Sequence, residues 1–221
     1  SDSLDFKPGS AYNYSDVWYL LLGIVIDNIT GSYKDYLTDI FDQNGLLNTY
    51  FVNQEKVDRN QARGYSLKDG EWINIMRTWD YEIPSHFGVF SNLRDLMKWY
   101  KVISGTDFLN ETNQNFLFSK GTLNDKSKIA YGGGWEINDI NGLKFISHTG
   151  VTGTILVNIP QKSTTVIILS NLGYNGNDMV NPWNLAYEII NKIGIETKIN
   201  RSHVTTNGLK QIETNKAAFR N

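Results

Sequence analysis

Residues 143–170 read LKFISHTGVTGTILVNIPQKSTTVIILS. Within them lie β-rich runs at Leu143–His148, Thr154–Ile159 and Thr165–Ser170, dense in Val, Ile and Thr, which pack well on a pleated surface. Only short polar breaks separate these runs, among them Pro160-Gln161. Breaks of that length make the neighbours antiparallel, because a parallel crossover takes about a dozen residues or more. A further run, Ala130–Ile137, precedes them and is joined through the turn dipeptide Asn141-Gly142. Downstream, Asn181 as cap and Pro182 in the first turn open a helix that ends near Gly194. Its apolar positions Trp183, Ala186, Tyr187, Ile190 and Ile193 share one face, which suits it to lie across the sheet.

Upstream of about Ile129 the pattern changes to helix. Val17–Ile26 is an apolar run between Asp16 and Asp27, about half the ~20 residues that a membrane span needs, and reads as a buried helix. Ser15 or Asp16 can cap it, and Gly31 can supply a left-handed stop. A second helix starts at Ser32, with Asp35 at the capping-box spacing and Tyr33, Tyr36, Leu37 and Ile40 inward. Asn44-Gly45 marks the turn that follows. Gly64–Ile75 reads as a hairpin about Asp69-Gly70. Leu93, Leu96, Met97, Tyr100 and Ile103 recur at helical spacing behind Ser91 as cap, and Phe108–Asp125 reads as a short helix plus loop. The fold class is therefore α+β: a mostly helical region over 1–128, an antiparallel sheet with its covering helix over 129–195, and a tail over 196–221 with few anchors.

Composition narrows the chemistry. Of 221 residues 40% are hydrophobic and 20% charged, enough for a sizeable core. Lys and Arg total 21 against 23 Asp and Glu, so no nucleic-acid or membrane-surface footprint follows from the net charge of −2. The absence of cysteine removes disulfides, thiolate nucleophiles and Cys-ligated metals. His86, His148 and His203 fall at no metal-ligand spacing, and no phosphate loop or Gly-x-Ser-x-Gly elbow occurs, so neither a metal nor a cofactor is expected. Gly132-Gly133-Gly134, between Tyr131 and Trp135, reads as part of a strand where glycine permits close backbone approach. His86, His203 and the aromatic residues read as structure or surface.

Two constellations remain. One is Pro8-Gly9 followed by Tyr14-Ser15-Asp16 and the apolar helix; the other is Ser147-His148-Thr149-Gly150 with Gly153 behind it. In this order, with Ala62-Arg63-Gly64-Tyr65-Ser66, Gly88-Val89-Phe90-Ser91, Asp95-Leu96, Tyr131–Trp135 and Leu169-Ser170-Asn171 between and after them, the chain resembles the serine β-lactamase-like family. That family comprises class C β-lactamases, penicillin-binding proteins and related esterases and D-amino-acid peptidases. The resemblance covers roughly residues 4 to 195. Tyr14-Ser15-Asp16 looks like the family's Tyr-x-Asn element and His148-Thr149-Gly150 like its Lys-Thr-Gly strand element.

The resemblance implies a β-lactamase/transpeptidase-like fold, a small-molecule or peptide substrate, and an acyl-enzyme route to hydrolysis of an ester, amide or β-lactam. Tyr14 would be general base or proton shuttle, which requires nearby positive charge because a tyrosine pKa is ~10. Asp16, where the family more often has Asn, would position a catalytic lysine or a substrate amide; an ionised carboxylate accepts hydrogen bonds but donates none, which weakens the amide role and leaves the lysine pairing intact. His148, in place of Lys, would donate to a substrate carbonyl or carboxylate with less fixed charge. Thr149 and Gly150 would face substrate, and the Val151 N–H would be an oxyanion-hole donor. The family's nucleophile is the serine of Ser-x-x-Lys, yet no serine here has lysine three positions later. The resemblance thus implies a C-terminal portion, incomplete at its N-terminus and inactive alone, with the nucleophile segment as its partner. A non-catalytic sensing or scaffolding relative is the alternative. By analogy with peptidoglycan-directed relatives, an exported protein is expected.

Overall fold

Strands with alternating apolar residues need a cover on at least one face, and here a helix supplies it. The computed structural model describes residues 4–51, 60–74, 84–172 and 182–197. Helices α1 (Asp16–Thr30) and α2 (Tyr33–Gln43) come first, then the short strands β1 (Tyr50–Phe51), β2 (Tyr65–Lys68), β3 (Glu71–Asn74) and β4 (Val89–Phe90). Helices α3 (Leu93–Ser104) and α4 (Glu111–Leu117) follow, with β5 (Gly121–Thr122) and β6 (Lys128–Ile129). The chain then lays down β7 (Tyr131–Gly132), β8 (Trp135–Ile140), β9 (Leu143–Gly150), β10 (Thr154–Ile159) and β11 (Thr164–Ile168), and closes with α5 (Pro182–Lys192).

The last strands form one antiparallel sheet in the order β11-β10-β9-β8-β7. Side chains alternate between faces, so Phe145 of β9 and Ile155, Val157 and Ile159 of β10 meet Ala186 and Ile190 of α5 in one buried cluster. Ile146 and His148 take the opposite face of β9, Ile146 in register with Ile137. The antiparallel sheet and the helix over it agree with the sequence reading, as does the β2–β3 hairpin. At its turn Asp69 and Gly70 have φ of 52° and 84°, as a two-residue turn matched to strand twist requires.

Several local expectations are corrected. The β-rich run 130–137 is two strands: Gly133 and Gly134 sit at φ of 56° and 88° in a tight turn that pairs Gly132 with Trp135, so the glycine trio is not strand interior. Ser15 occupies the N-cap of α1 but its side chain makes no capping bond, while Asn92 rather than Ser91 caps α3 by accepting the Asp95 N–H. The Ser91 hydroxyl pairs with that of Thr49 instead. In α2 Ser32 caps as expected, but Phe41 is buried and Tyr36 exposed, and past α5 Ile193 is exposed while Ile195 enters the core. Thr197 is also buried, bonded to Asn191. The expected cap Asn181, His203 and the tail from 198 lie outside the described residues.

The largest correction concerns α1. Its expected extent is extended to Thr30 and stopped by left-handed Gly31. Among its residues only Gly23 is fully buried. Val17, Trp18, Val25 and Ile29 are 59%, 62%, 52% and 78% exposed. No helix among the described residues is long and apolar enough to cross a membrane.

Candidate active site

Two backbone devices carry the candidate residues to one place. The first is a turn ahead of α1. Ser10 closes it with both its N–H and its hydroxyl on the Lys7 carbonyl, and Asn124 clamps it by donating Nδ2–H to Pro8 O at 2.9 Å and its N–H to Gly9 O at 2.8 Å. Gly9 has φ of 77°, and a Cβ there would stand 2.5 Å from the Asn124 side chain, so only glycine fits. Tyr12, Tyr14 and Asp16 follow this anchored turn. The second device is the tight end of the β9–β10 hairpin. A Cβ on Gly150 would fall 2.2 Å from Thr154 Oγ1, and one on Gly153 would fall 2.8 Å from the Leu172 carbonyl. The Ser-His-Thr-Gly run therefore ends in a closed turn, with Val151 at its tip and 75% exposed. Among the described residues the Val151 N–H makes no backbone bond, which leaves it available as a donor.

Tyr14 and His148 approach to a ring-centroid distance of 6.3 Å, and Tyr131 touches both, edge-on to Tyr14 at 5.6 Å and to His148 at 6.0 Å. Tyr12 stacks on Tyr131 from outside at 5.7 Å. His148 Nδ1 lies 2.8 Å from the Thr149 carbonyl, which can only accept, so Nδ1 carries the proton. In the neutral ring Nε2 is then an acceptor, and the Tyr131 hydroxyl 3.2 Å away donates to it. The neutral His148 thus keeps no proton for a substrate, contrary to the donor role expected of it. Tyr19 in turn donates to the Tyr131 oxygen at the long distance of 3.4 Å.

The electrostatics favour neutral groups. Burial pushes the Tyr14 hydroxyl up to about 12, and the charges of Asp16, Tyr19 and Glu136 push the same way. Tyr131 and Tyr12 are raised as well, first by burial. Burial lowers the His148 imidazole, against the Thr149 hydrogen bond and Asp16, which favour its charged form. Glu136, directly opposite Ser147 in register, has its carboxyl raised by burial. Tyr14 is thus a hydroxyl at neutral pH, and to act as a base it needs a cation beside it, as the sequence reading required.

The geometry gathers Tyr14, Asp16, His148, Thr149, Gly150 and Val151 about the β9 end. Asp16 acts electrostatically on Tyr14, His148 and also His86, whose imidazole burial lowers. Tyr131, Tyr19, Tyr12 and Glu136 were not singled out from sequence. Tyr131 belongs to the Tyr131–Trp135 stretch that supports the resemblance, yet directly before the glycine trio it reads as packing, with no role in the site. Among the described residues no three His, Asp or Glu side chains gather as a metal site.

Comparison with known proteins bears on this arrangement. The family model described as Beta-lactamase matches residues 1–188. Protein flp of Staphylococcus aureus (strain MRSA252) is 28% identical over 178 residues, covering 77% of this chain and 35% of that protein. The octameric penicillin-binding protein homologue from Pyrococcus abyssi superposes with a TM-score of 0.71 at 26% identity, over 87% of this chain and 45% of that one. The D-amino acid amidase from Ochrobactrum anthropi SV3 complexed with L-phenylalanine shares the fold, with a TM-score of 0.65 at 18% identity, over 87% of this chain and 60% of that one. The chain spans about a third of the length of the staphylococcal relative.

Proposed function

Because the chain belongs to the Beta-lactamase family, a family of hydrolases with penicillin-binding and amidase relatives, we propose that it forms two walls of an acyl-transfer site. One wall is Tyr14 with Asp16, the other His148-Thr149-Gly150 with the Val151 N–H. The reaction is hydrolysis of an ester, an amide of the D-amino-acid-peptide kind or a β-lactam, through an ester to a serine that this sequence does not contain. The observation that carries the reading is the convergence of Tyr14 and His148, 134 positions apart in the chain, at a ring distance of 6.3 Å.

In this reading the serine comes on a Ser-x-x-Lys segment from outside the 221 residues, and its lysine brings a cation to Tyr14. Opposite charge within about 4–6 Å favours the phenolate, so the lysine draws the Tyr14 hydroxyl down from about 12 toward a usable base. The Asp16 carboxylate accepts the lysine's hydrogen bonds and holds it in place. The Val151 N–H, free of backbone partners among the described residues, stabilises the charge developing on the substrate carbonyl oxygen. The exposed apolar side chains Trp18, Val25 and Ile29 of α1 give such a segment a surface to cover. Export from the cytoplasm belongs to the same reading.

Intact mass spectrometry after incubation with a penicillin and with an activated ester tests it. The 221-residue chain is expected to stay unmodified, and the protein extended to include Ser-x-x-Lys to gain one acyl group. Stoichiometric acylation of the 221-residue chain would overturn the view that its nucleophile lies elsewhere. A coding sequence with no Ser-x-x-Lys upstream would instead favour a sensing or scaffolding relative, the reading that Asp16 and His148 keep open as departures from the family pattern.

A further inference from the structure

We propose that Tyr131 is the positioning residue of this site: it holds the His148 imidazole by Nε2 and sets its spacing from Tyr14, without itself reacting. The proposal rests on the hydrolase reading above and deepens it. Tyr131 is 9% exposed, and it makes ring contacts with Tyr12, Tyr14 and His148 while its hydroxyl lies between those of Tyr19 and the His148 ring.

The direction of the hydrogen bonds follows from one fixed end. The Thr149 carbonyl takes the Nδ1 proton, Nε2 is left with a lone pair, Tyr131 must donate to it, and Tyr19 must donate to Tyr131. Held at both nitrogens, the imidazole cannot turn over without breaking both bonds. A phenylalanine would fill the same space and make the same ring contacts. Only the hydroxyl satisfies Nε2, and a buried acceptor left without a donor is costly. The hydroxyl therefore has a role that packing does not supply.

The backbone around Tyr131 is built to deliver it. Strand β7 lies against the end of α4 so closely that a Cβ on Gly132 would come 1.9 Å from the Ser119 carbonyl, and one on Gly133 2.4 Å from the Leu117 carbonyl. The glycines that follow Tyr131 thus let a hairpin approach backbone directly and bring the phenol between Tyr14 and His148. The His148 ring is held at Nδ1 by its own strand and at Nε2 by Tyr131, which also meets the Tyr14 ring and so ties the two walls together.

The test compares wild type, Tyr131→Phe and Tyr19→Phe in the protein that carries the nucleophile segment. Histidine 15N signals, with those of His86, His148 and His203 assigned by their Gln variants, report Nε2 directly. In Tyr131→Phe the His148 Nε2 resonance is expected to move toward that of a free acceptor while His86 and His203 stay put; an unmoved resonance overturns the proposal. On an activated nitrophenyl ester, kcat of Tyr131→Phe is expected to fall about tenfold to a hundredfold with KM nearly unchanged, as for misplacement of a bound catalytic group. Tyr19→Phe shifts both readouts the same way and less. If only Tyr131→Ala lowers kcat and Tyr131→Phe does not, the ring alone matters and the proposal fails while the hydrolase reading stands. Absence of turnover in wild type would remove the hydrolase reading, and the 15N comparison would still decide whether Tyr131 holds His148.

Discussion

In the sheet, Phe145, Val157 and Ile159 are sealed beneath Ala186 and Ile190 of α5, whereas in α1 the side chains of Trp18, Val25 and Ile29 stand open to solvent. Both regions are rich in apolar residues, and α1 is the richer in sequence. What separates them is a neighbour. The strands β8 to β11 are joined by short turns, and α5 returns over them, so this part of the chain carries its own cover. Helix α1 packs mainly on α2, where Asp27 accepts the Tyr33 N–H, and Tyr19 reaches Tyr131, while Trp18, Val25 and Ile29 are left exposed. Apolar patterning therefore specifies a face to be buried without specifying what buries it.

The contrast can be broken most directly in the sheet. Phe145→Ala removes a fully buried ring from the α5 cluster. It is expected to lower unfolding stability by about 3–5 kcal/mol, read by urea denaturation with unchanged slope. A loss near that of a surface residue would mean that the sheet and α5 do not share a core.

A weaker effect comes from pH and is confined to the His148 side. Burial holds the folded imidazole below its ordinary 6.5. Between the folded value and 6.5 the unfolded chain binds more protons, so this contribution to stability is complete above 6.5 and is lost as pH falls through the folded pKa. His148→Gln is expected to flatten the acid side of the stability profile. His86 is lowered by burial with the same sign, so its Gln variant must be measured beside it. Helix α1 contains no histidine, and substitutions at its exposed apolar positions Trp18, Val25 and Ile29 are expected to leave the slope as it is. An unaltered slope in His148→Gln would remove the burial argument.

The smallest effect is expected in α1 itself. Trp18→Ser in the 221-residue chain replaces a side chain that is 62% exposed and is expected to change stability by no more than about 0.5 kcal/mol. The same substitution in a protein carrying the nucleophile segment is expected to cost more if that segment covers α1. Equal effects in the two would leave the exposed face unexplained by such a cover.

Sequence alone determined the local elements whose signals lie within a few residues of one another. Antiparallel pairing of β9, β10 and β11 follows from breaks too short for a crossover. The turn at Asp69-Gly70, the Ser32 cap and the left-handed stop at Gly31 follow from side-chain and backbone preferences. The motif order pointed to the family and to the Tyr14 and His148 ends of the site. Cap assignment slipped by one residue at Ser91 and Asn92 because either side chain can accept the same backbone N–H, and only the backbone path selects one. Tertiary structure decided what depends on distant segments. Whether α1 is buried is settled by its neighbours, not by its own hydropathy. The glycine trio proved to be a turn because β7 must pass the end of α4. Tyr131 meets His148 at a sequence separation of 17 and Tyr19 at 112. No local periodicity encodes such meetings: a hydrogen bond between side chains is a property of where two backbones arrive, and the whole fold sets that.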